Sequence, residues 1–65
     1  MRLKVNGQER ELLDGSDILA LLAQHELTPD KVAVELNGRL VRAAQYDTRL
    51  QDGDEIEIVT FVGGG

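Results

Sequence analysis

The sequence contains no cysteine. That absence removes disulfides, thiolate metal sites, iron–sulfur clusters and a cysteine nucleophile together, and it fits a reducing compartment. Aromatics are scarce: one tyrosine, one phenylalanine and no tryptophan, too few for a platform on which bases stack. Positive charge is scarce too. Seven Lys and Arg face twelve Asp and Glu, a formal net charge of −5. Nucleic-acid phosphates require a basic patch, so this balance argues against a nucleic-acid partner and favours a protein partner with a basic docking face. No apolar run approaches the roughly 20 residues of a membrane span, and no secretory pattern opens the chain. The resulting expectation is a cytoplasmic protein with no membrane partner. Sixty-five residues make one domain, and a chain of that size buries only roughly 60% of its unfolded surface.

What is present alternates cleanly. Met1, Leu3 and Val5 are interleaved with Arg2 and Lys4, the period of a half-buried strand. Asn6-Gly7 follows, a strong hairpin signal because a type I′ turn needs positive φ at both central residues. Gln8 to Leu13 reads as a second strand, and its charges at Glu9, Arg10 and Glu11 mark it as an edge. Asp14-Gly15 breaks the chain. Ser16 is the expected helix cap, with Asp17 favourably placed at the positive helix end. Ile18, Leu19, Leu21 and Leu22 share a face at helical spacing, and the helix is expected to run to about His25. Thr28-Pro29-Asp30 ends it, since proline lacks an amide donor.

Val32, Val34 and Leu36 alternate with Ala33 and Glu35 as a third strand. Asn37-Gly38 is a second tight turn, Arg39 to Arg42 a short fourth strand, and Ala44 to Tyr46 a possible helical turn. Asp52-Gly53-Asp54 turns into a last strand from Glu55 to Phe61. Strand, strand, helix, strand, strand, strand is an α+β order. It is buried economically by one helix across one face of a mixed five-stranded sheet.

Parity in the last strand carries functional information. Ile56 and Ile58 face the helix with Thr60 beyond them, so Glu55, Glu57, Val59 and Phe61 face water. Single exposed apolar residues are ordinary. An outward valine beside an outward phenylalanine, leading into Val62, has the character of a docking patch. Lys4 and Glu57 are expected to pair across neighbouring strands on the same face, a contact worth roughly 0–1 kcal/mol. Gly63, Gly64 and Gly65 follow. Glycines without side chains add nothing to a core and cost entropy when ordered. Residues 1–62 therefore read as the domain, and 63–65 as a flexible tail able to thread a narrow channel and present the main-chain carboxylate of Gly65.

Other candidate chemistry is thin. His25, the single histidine, sits where a helix C-terminus favours positive charge. The single serine, Ser16, reads as a cap, so no triad can be assembled. Asp52, Asp54, Glu55 and Glu57 lack the ligand spacing of a calcium loop. The glycine run precedes neither a helix nor a lysine, so it is no phosphate cradle. Tyr46 is expected to cap one end of the core and to hydrogen-bond through its hydroxyl. The chain reads as a substrate or carrier for other proteins, not as an enzyme.

Taken together, the opening strand with Asn6-Gly7, the Leu36-Asn37-Gly38 turn, the run from Leu50 to Val59 and the terminal Phe61-Val62-Gly63-Gly64-Gly65 resemble the ThiS family. Its members are sulfur carriers of thiamine biosynthesis with the ubiquitin-like β-grasp fold. The resemblance covers essentially all of the chain. It departs at Arg42 and Tyr46, where the family often has proline and tryptophan. It implies that Gly65 is the sulfur-carrying residue, that a ThiF-like adenylating enzyme activates its carboxylate with ATP and magnesium, and that a persulfide-bearing sulfur donor system supplies the sulfur. A ThiG-like thiazole synthase would then consume the thiocarboxylate. No cofactor is expected on this chain, and a monomer is expected when it is free. Carriers for molybdopterin or cysteine synthesis, ubiquitin-type modifiers and β-grasp binding modules share enough of this pattern to remain alternatives.

Overall fold

The computed structural model describes residues 1–61. The strands are β1 (Arg2–Val5), β2 (Gln8–Glu11), β3 (Val32–Leu36), β4 (Arg39–Val41) and β5 (Glu55–Thr60), with one helix, α1 (Ile18–Gln24). Short 3-10 turns occupy Pro29–Lys31 and Ala43–Gln45. The sheet order is β2-β1-β5-β3-β4. β1 and β5 are parallel, and the other neighbours are antiparallel. The C-terminal strand is therefore the centre of the sheet, gripped on both sides.

Period-2 patterning sets the two faces. Leu3 and Val5 of β1, Val32 and Val34 of β3 and Ile56 of β5 are buried against Ile18, Leu21 and Leu22 of α1. Leu12, Tyr46 and Leu50 close the ends of this core. Leu19 is exposed, a correction to its expected place on the buried face. At about 100° per residue it lies off the stripe that Ile18, Leu21 and Leu22 share. β2 also ends earlier than expected, at Glu11. Leu12 turns into the core while Leu13 is 84% exposed.

The helix start differs from expectation by one residue. Asp17, not Ser16, is the cap, and its Oδ1 accepts from the Ala20 amide at 2.8 Å. The cause lies far along the chain. Asp17 forms an antiparallel bridge with Arg49, and the Leu50 amide donates to the Ser16 carbonyl at 2.9 Å. That pairing holds the backbone extended through Asp17, so the helix begins at Ile18.

At the other end, His25 is the C-cap. The Leu27 amide donates to Leu22 O at 2.9 Å and the Glu26 amide to Ala23 O at 3.0 Å, the bonding of a Schellman motif. This places Glu26 at φ 58°, a left-handed position that usually holds glycine. Tyr46 is buried as expected. Its hydroxyl makes no hydrogen bond among the described residues, and it is its carbonyl that accepts, from the Leu19 amide at 3.0 Å.

Candidate functional site

Both Asn-Gly turns do more than reverse the chain. Asn6 and Asn37 each sit at φ 51°, followed by Gly7 and Gly38 at φ 81° and 83°, the positive pair that a type I′ turn requires. The asparagine side chains then reach β5 from opposite sides. Asn6 Oδ1 accepts from the Ile58 amide at 2.7 Å, and Asn6 Nδ2 donates to Ile58 O at 3.2 Å. The amide group thus continues the parallel ladder past Val5, where β1 ends. Asn37 Oδ1 accepts from the Glu55 amide at 2.9 Å, and the Asn37 main-chain N–H donates to Glu55 O at 2.7 Å. Two turn side chains therefore clamp the strand that leads to the C-terminus. Sequence reading found the turns and missed the clamps, because their target is 18 to 52 residues away. The available signal was that asparagine, of the turn-forming residues, carries both a donor and an acceptor able to mimic a peptide group.

Antiparallel pairing with β3 carries β5 to its end. Val32 lies opposite Thr60 and Ala33 opposite Val59, and the Phe61 amide donates to Lys31 O at 2.8 Å. The side-chain parity expected from sequence holds: Ile56 is buried and Ile58 partly buried against the core, while Val59 and Phe61 are 60% and 63% exposed on the opposite, outer face. Two residues join them there. Ala33 faces Val59 directly. Leu40 of β4, opposite Glu35, is 69% exposed. Val62, Gly63, Gly64 and Gly65 lie outside the described residues, as does the expected boundary between domain and tail.

The expected Lys4–Glu57 pair does not form. The parallel register sets Lys4 beside Glu55, and β1 ends before it reaches Glu57. Glu57 instead faces Glu35 across β3. The ion pairs among the described residues are the N-terminal amine with Asp14 at 3.2 Å and Arg2 with Glu9 at 4.0 Å.

The aspartates near the last turn have structural partners. Asp52 Oδ1 accepts from the Arg2 amide at 2.7 Å. Asp54 accepts from the Gln51 amide at 2.8 Å and from Asn37 Nδ2 at 3.0 Å. No group of three or more His, Cys, Asp or Glu able to hold a metal ion occurs among the described residues, and no helix there is long and apolar enough to cross a membrane. Two open grooves, of about 230 and 400 Å3, share Arg2 and Glu9. Residues with charged side chains make up most of the lining of both.

The ThiS family profile matches residues 3–65. The sulfur carrier protein ThiS of Bacillus subtilis is 40% identical over 97% of this chain and 98% of its own length. Thiazole synthases of Paramagnetospirillum magneticum and Magnetococcus marinus are 41% and 38% identical over the whole of this chain, which spans about a fifth of their length. The crystal structure of the thiamine biosynthesis protein ThiS from Geobacter metallireducens superposes with a TM-score of 0.74 at 34% identity, covering all of both chains. A ubiquitin-like protein from Caldiarchaeum subterraneum, at 23% identity and a TM-score of 0.55, shares the fold. A full-length family match, a bacterial relative of the same length and a superposable structure agree with the central C-terminal strand and its terminal glycines: this chain belongs to the ThiS family, with the ubiquitin-like β-grasp fold.

Proposed function

We propose that this protein is a sulfur carrier for thiazole formation in thiamine biosynthesis, and that its working group is the main-chain carboxylate of Gly65. The observation that carries the reading is the placement of β5. The strand preceding Val62–Gly65 is the clamped centre of the sheet, and it ends beside exposed Val59 and Phe61. A rigid platform with an apolar handle next to the last residues suits a chain that offers its end to other proteins.

A free carboxylate is ionised at neutral pH, with an ordinary pKa of about 3.3–3.7, and is a poor electrophile. In this account a ThiF-like adenylating enzyme binds the chain together with ATP and magnesium. A Gly65 carboxylate oxygen attacks the α-phosphorus, pyrophosphate leaves, and an acyl adenylate results. The terminal sulfur of a persulfide from the donor system then displaces AMP, and a second thiol attacks the donor's sulfur in the resulting acyl disulfide, releasing the thiocarboxylate and leaving a disulfide between that thiol and the donor. A ThiG-like thiazole synthase takes the sulfur and returns the carboxylate. Two thiazole synthases that contain a domain like this one support that partnership. At Gly64 the missing Cβ would leave access to the reacting carbonyl, and Gly63 would extend the reach. Val59, Phe61 and Val62 would form the handle that the adenylating enzyme grips.

The test is ATP–pyrophosphate exchange catalysed by the ThiF-like enzyme of the same genome. Exchange should require the full chain and vanish when Gly65 is deleted, while the deletion variant keeps its cooperative unfolding. Exchange that persists without Gly65 overturns the proposal.

A further inference from the structure

The chain has two asparagines, Asn6 and Asn37, and each is followed by glycine. An asparagine before a glycine is chemically labile. Once a base has taken its proton, the glycine nitrogen attacks the side-chain carbonyl carbon, Cγ. The Cγ–Nδ2 bond breaks, ammonia leaves with a proton, and a succinimide ring remains. Water then opens the ring. Breaking the new bond from Cγ to the nitrogen yields aspartate. Breaking the original peptide bond yields isoaspartate, with the backbone rerouted through the side chain. Water is the co-reactant, and no oxidant or reductant takes part.

Both turns present what this reaction needs. Asn6, Gly7, Asn37 and Gly38 are all exposed. Neither glycine amide donates to a protein group among the described residues. Beyond the adjoining residues, no atom lies within 4 Å of where a side chain on either glycine would begin. What opposes the reaction is the grip on β5. Ring closure makes Cγ tetrahedral and expels Nδ2, so an asparagine bonded through both Oδ1 and Nδ2 must first give up both bonds. Asn6 is held by the amide and the carbonyl of Ile58. Asn37 is held by the Glu55 amide and by the Asp54 carboxylate, a charged and therefore stronger acceptor. The Asn37 main-chain N–H adds a third bond, to Glu55 O.

We propose that the two Asn-Gly turns are sites of spontaneous self-modification, kept inert by their clamps on β5, and that Asn6-Gly7, the more weakly held, reacts first. The reaction does not depend on the carrier function. Release of Asn6 gives up two exposed hydrogen bonds, which slows it by about five- to thirtyfold relative to the unfolded chain. Asn37 is slower again. Either product loosens the strand that leads to the C-terminus. Isoaspartate in place of Asn6 adds a backbone atom to a two-residue turn and releases Ile58. Aspartate in place of Asn37 sets a carboxylate oxygen where Nδ2 now donates to Asp54 Oδ1 at 3.0 Å, and the two anions repel.

The test is peptide mapping by mass spectrometry of the full chain, aged at mildly alkaline pH either folded or in urea above its unfolding midpoint. In urea the two sites should deamidate at similar rates. In the folded chain both should slow, Asn37 more than Asn6. The aged fraction that carries isoaspartate in place of Asn6 should lose hydrogen-exchange protection at the Ile58 amide. Asp54→Ala removes the acceptor of Asn37 Nδ2, so it should speed deamidation at Asn37 several-fold and leave the Asn6 rate unchanged. Equal acceleration at both sites would assign the rate to global unfolding and overturn the proposal. So would deamidation as fast in the folded chain as in urea, Asn37 reacting ahead of Asn6, or an Ile58 amide still protected in the aged fraction.

Discussion

Replacing Asn6 separates backbone strain from hydrogen bonding at the clamp on β5. Asn6→Gly keeps a residue at ease at φ 51° and removes the side chain that bonds both the amide and the carbonyl of Ile58. These are exposed bonds, so each is worth about 0.5–1 kcal/mol, at the low end of the usual net range. The loss should total about 1–2 kcal/mol. Asn6→Ala removes the same bonds and adds a left-handed penalty of about 1 kcal/mol, for about 2–3 kcal/mol. A chain of this length has only about 3–10 kcal/mol in all, so both changes are large enough to measure by urea denaturation. The alanine variant should unfold well before the glycine variant. In Asn6→Gly the Ile58 amide should also lose most of its hydrogen-exchange protection, while the Glu55 amide, held by Asn37, keeps its own. A glycine variant as stable as the parent, or an Ile58 amide still protected, would refute the clamp.

Three further changes probe separate parts of the account. Glu26→Gly should stabilise the protein by about 0.5–1 kcal/mol, because it relieves the positive φ in the helix-ending motif; an unchanged or lower denaturation midpoint would count against that motif. Asp17→Ala should cost about 1 kcal/mol while Ser16→Ala stays within about 0.5 kcal/mol, and the reverse ranking would restore Ser16 as the cap. Phe61→Asp should weaken binding to the adenylating enzyme at least tenfold by calorimetry and shift stability by no more than about 0.5 kcal/mol, as expected for a side chain that is 63% exposed; unchanged affinity would remove Phe61 from the docking surface.

Much of this was legible in the sequence, and the boundary of what was not is physical. Alternation at Leu3 and Val5, at Val32 and Val34 and at Ile56 is a local property, and the strands stand where it places them. The same parity put Val59 and Phe61 outside. What the sequence withheld depends on which strand lies next to which. The Lys4–Glu57 expectation failed because the register between β1 and β5 is off by two residues from that pairing. The helix cap moved to Asp17 because of a bridge to Arg49, far along the chain. Leu40, Ala33 and the opposed Glu35 and Glu57 became one face only once β4, β3 and β5 were known to be neighbours. The asparagine clamps were hidden for the same reason: each turn was visible, and the strand it holds was not.

The proposed working group is one carboxylate, and intact-mass spectrometry weighs it directly. The chain would be incubated with ATP, magnesium, the ThiF-like enzyme and a persulfide source. A mass gain equal to the exchange of one oxygen for sulfur is expected, located at Gly65 by fragmentation and reversed on transfer to thiazole synthase. A chain that forms the complex and consumes ATP, yet keeps its original mass or gains sulfur elsewhere, would contradict it.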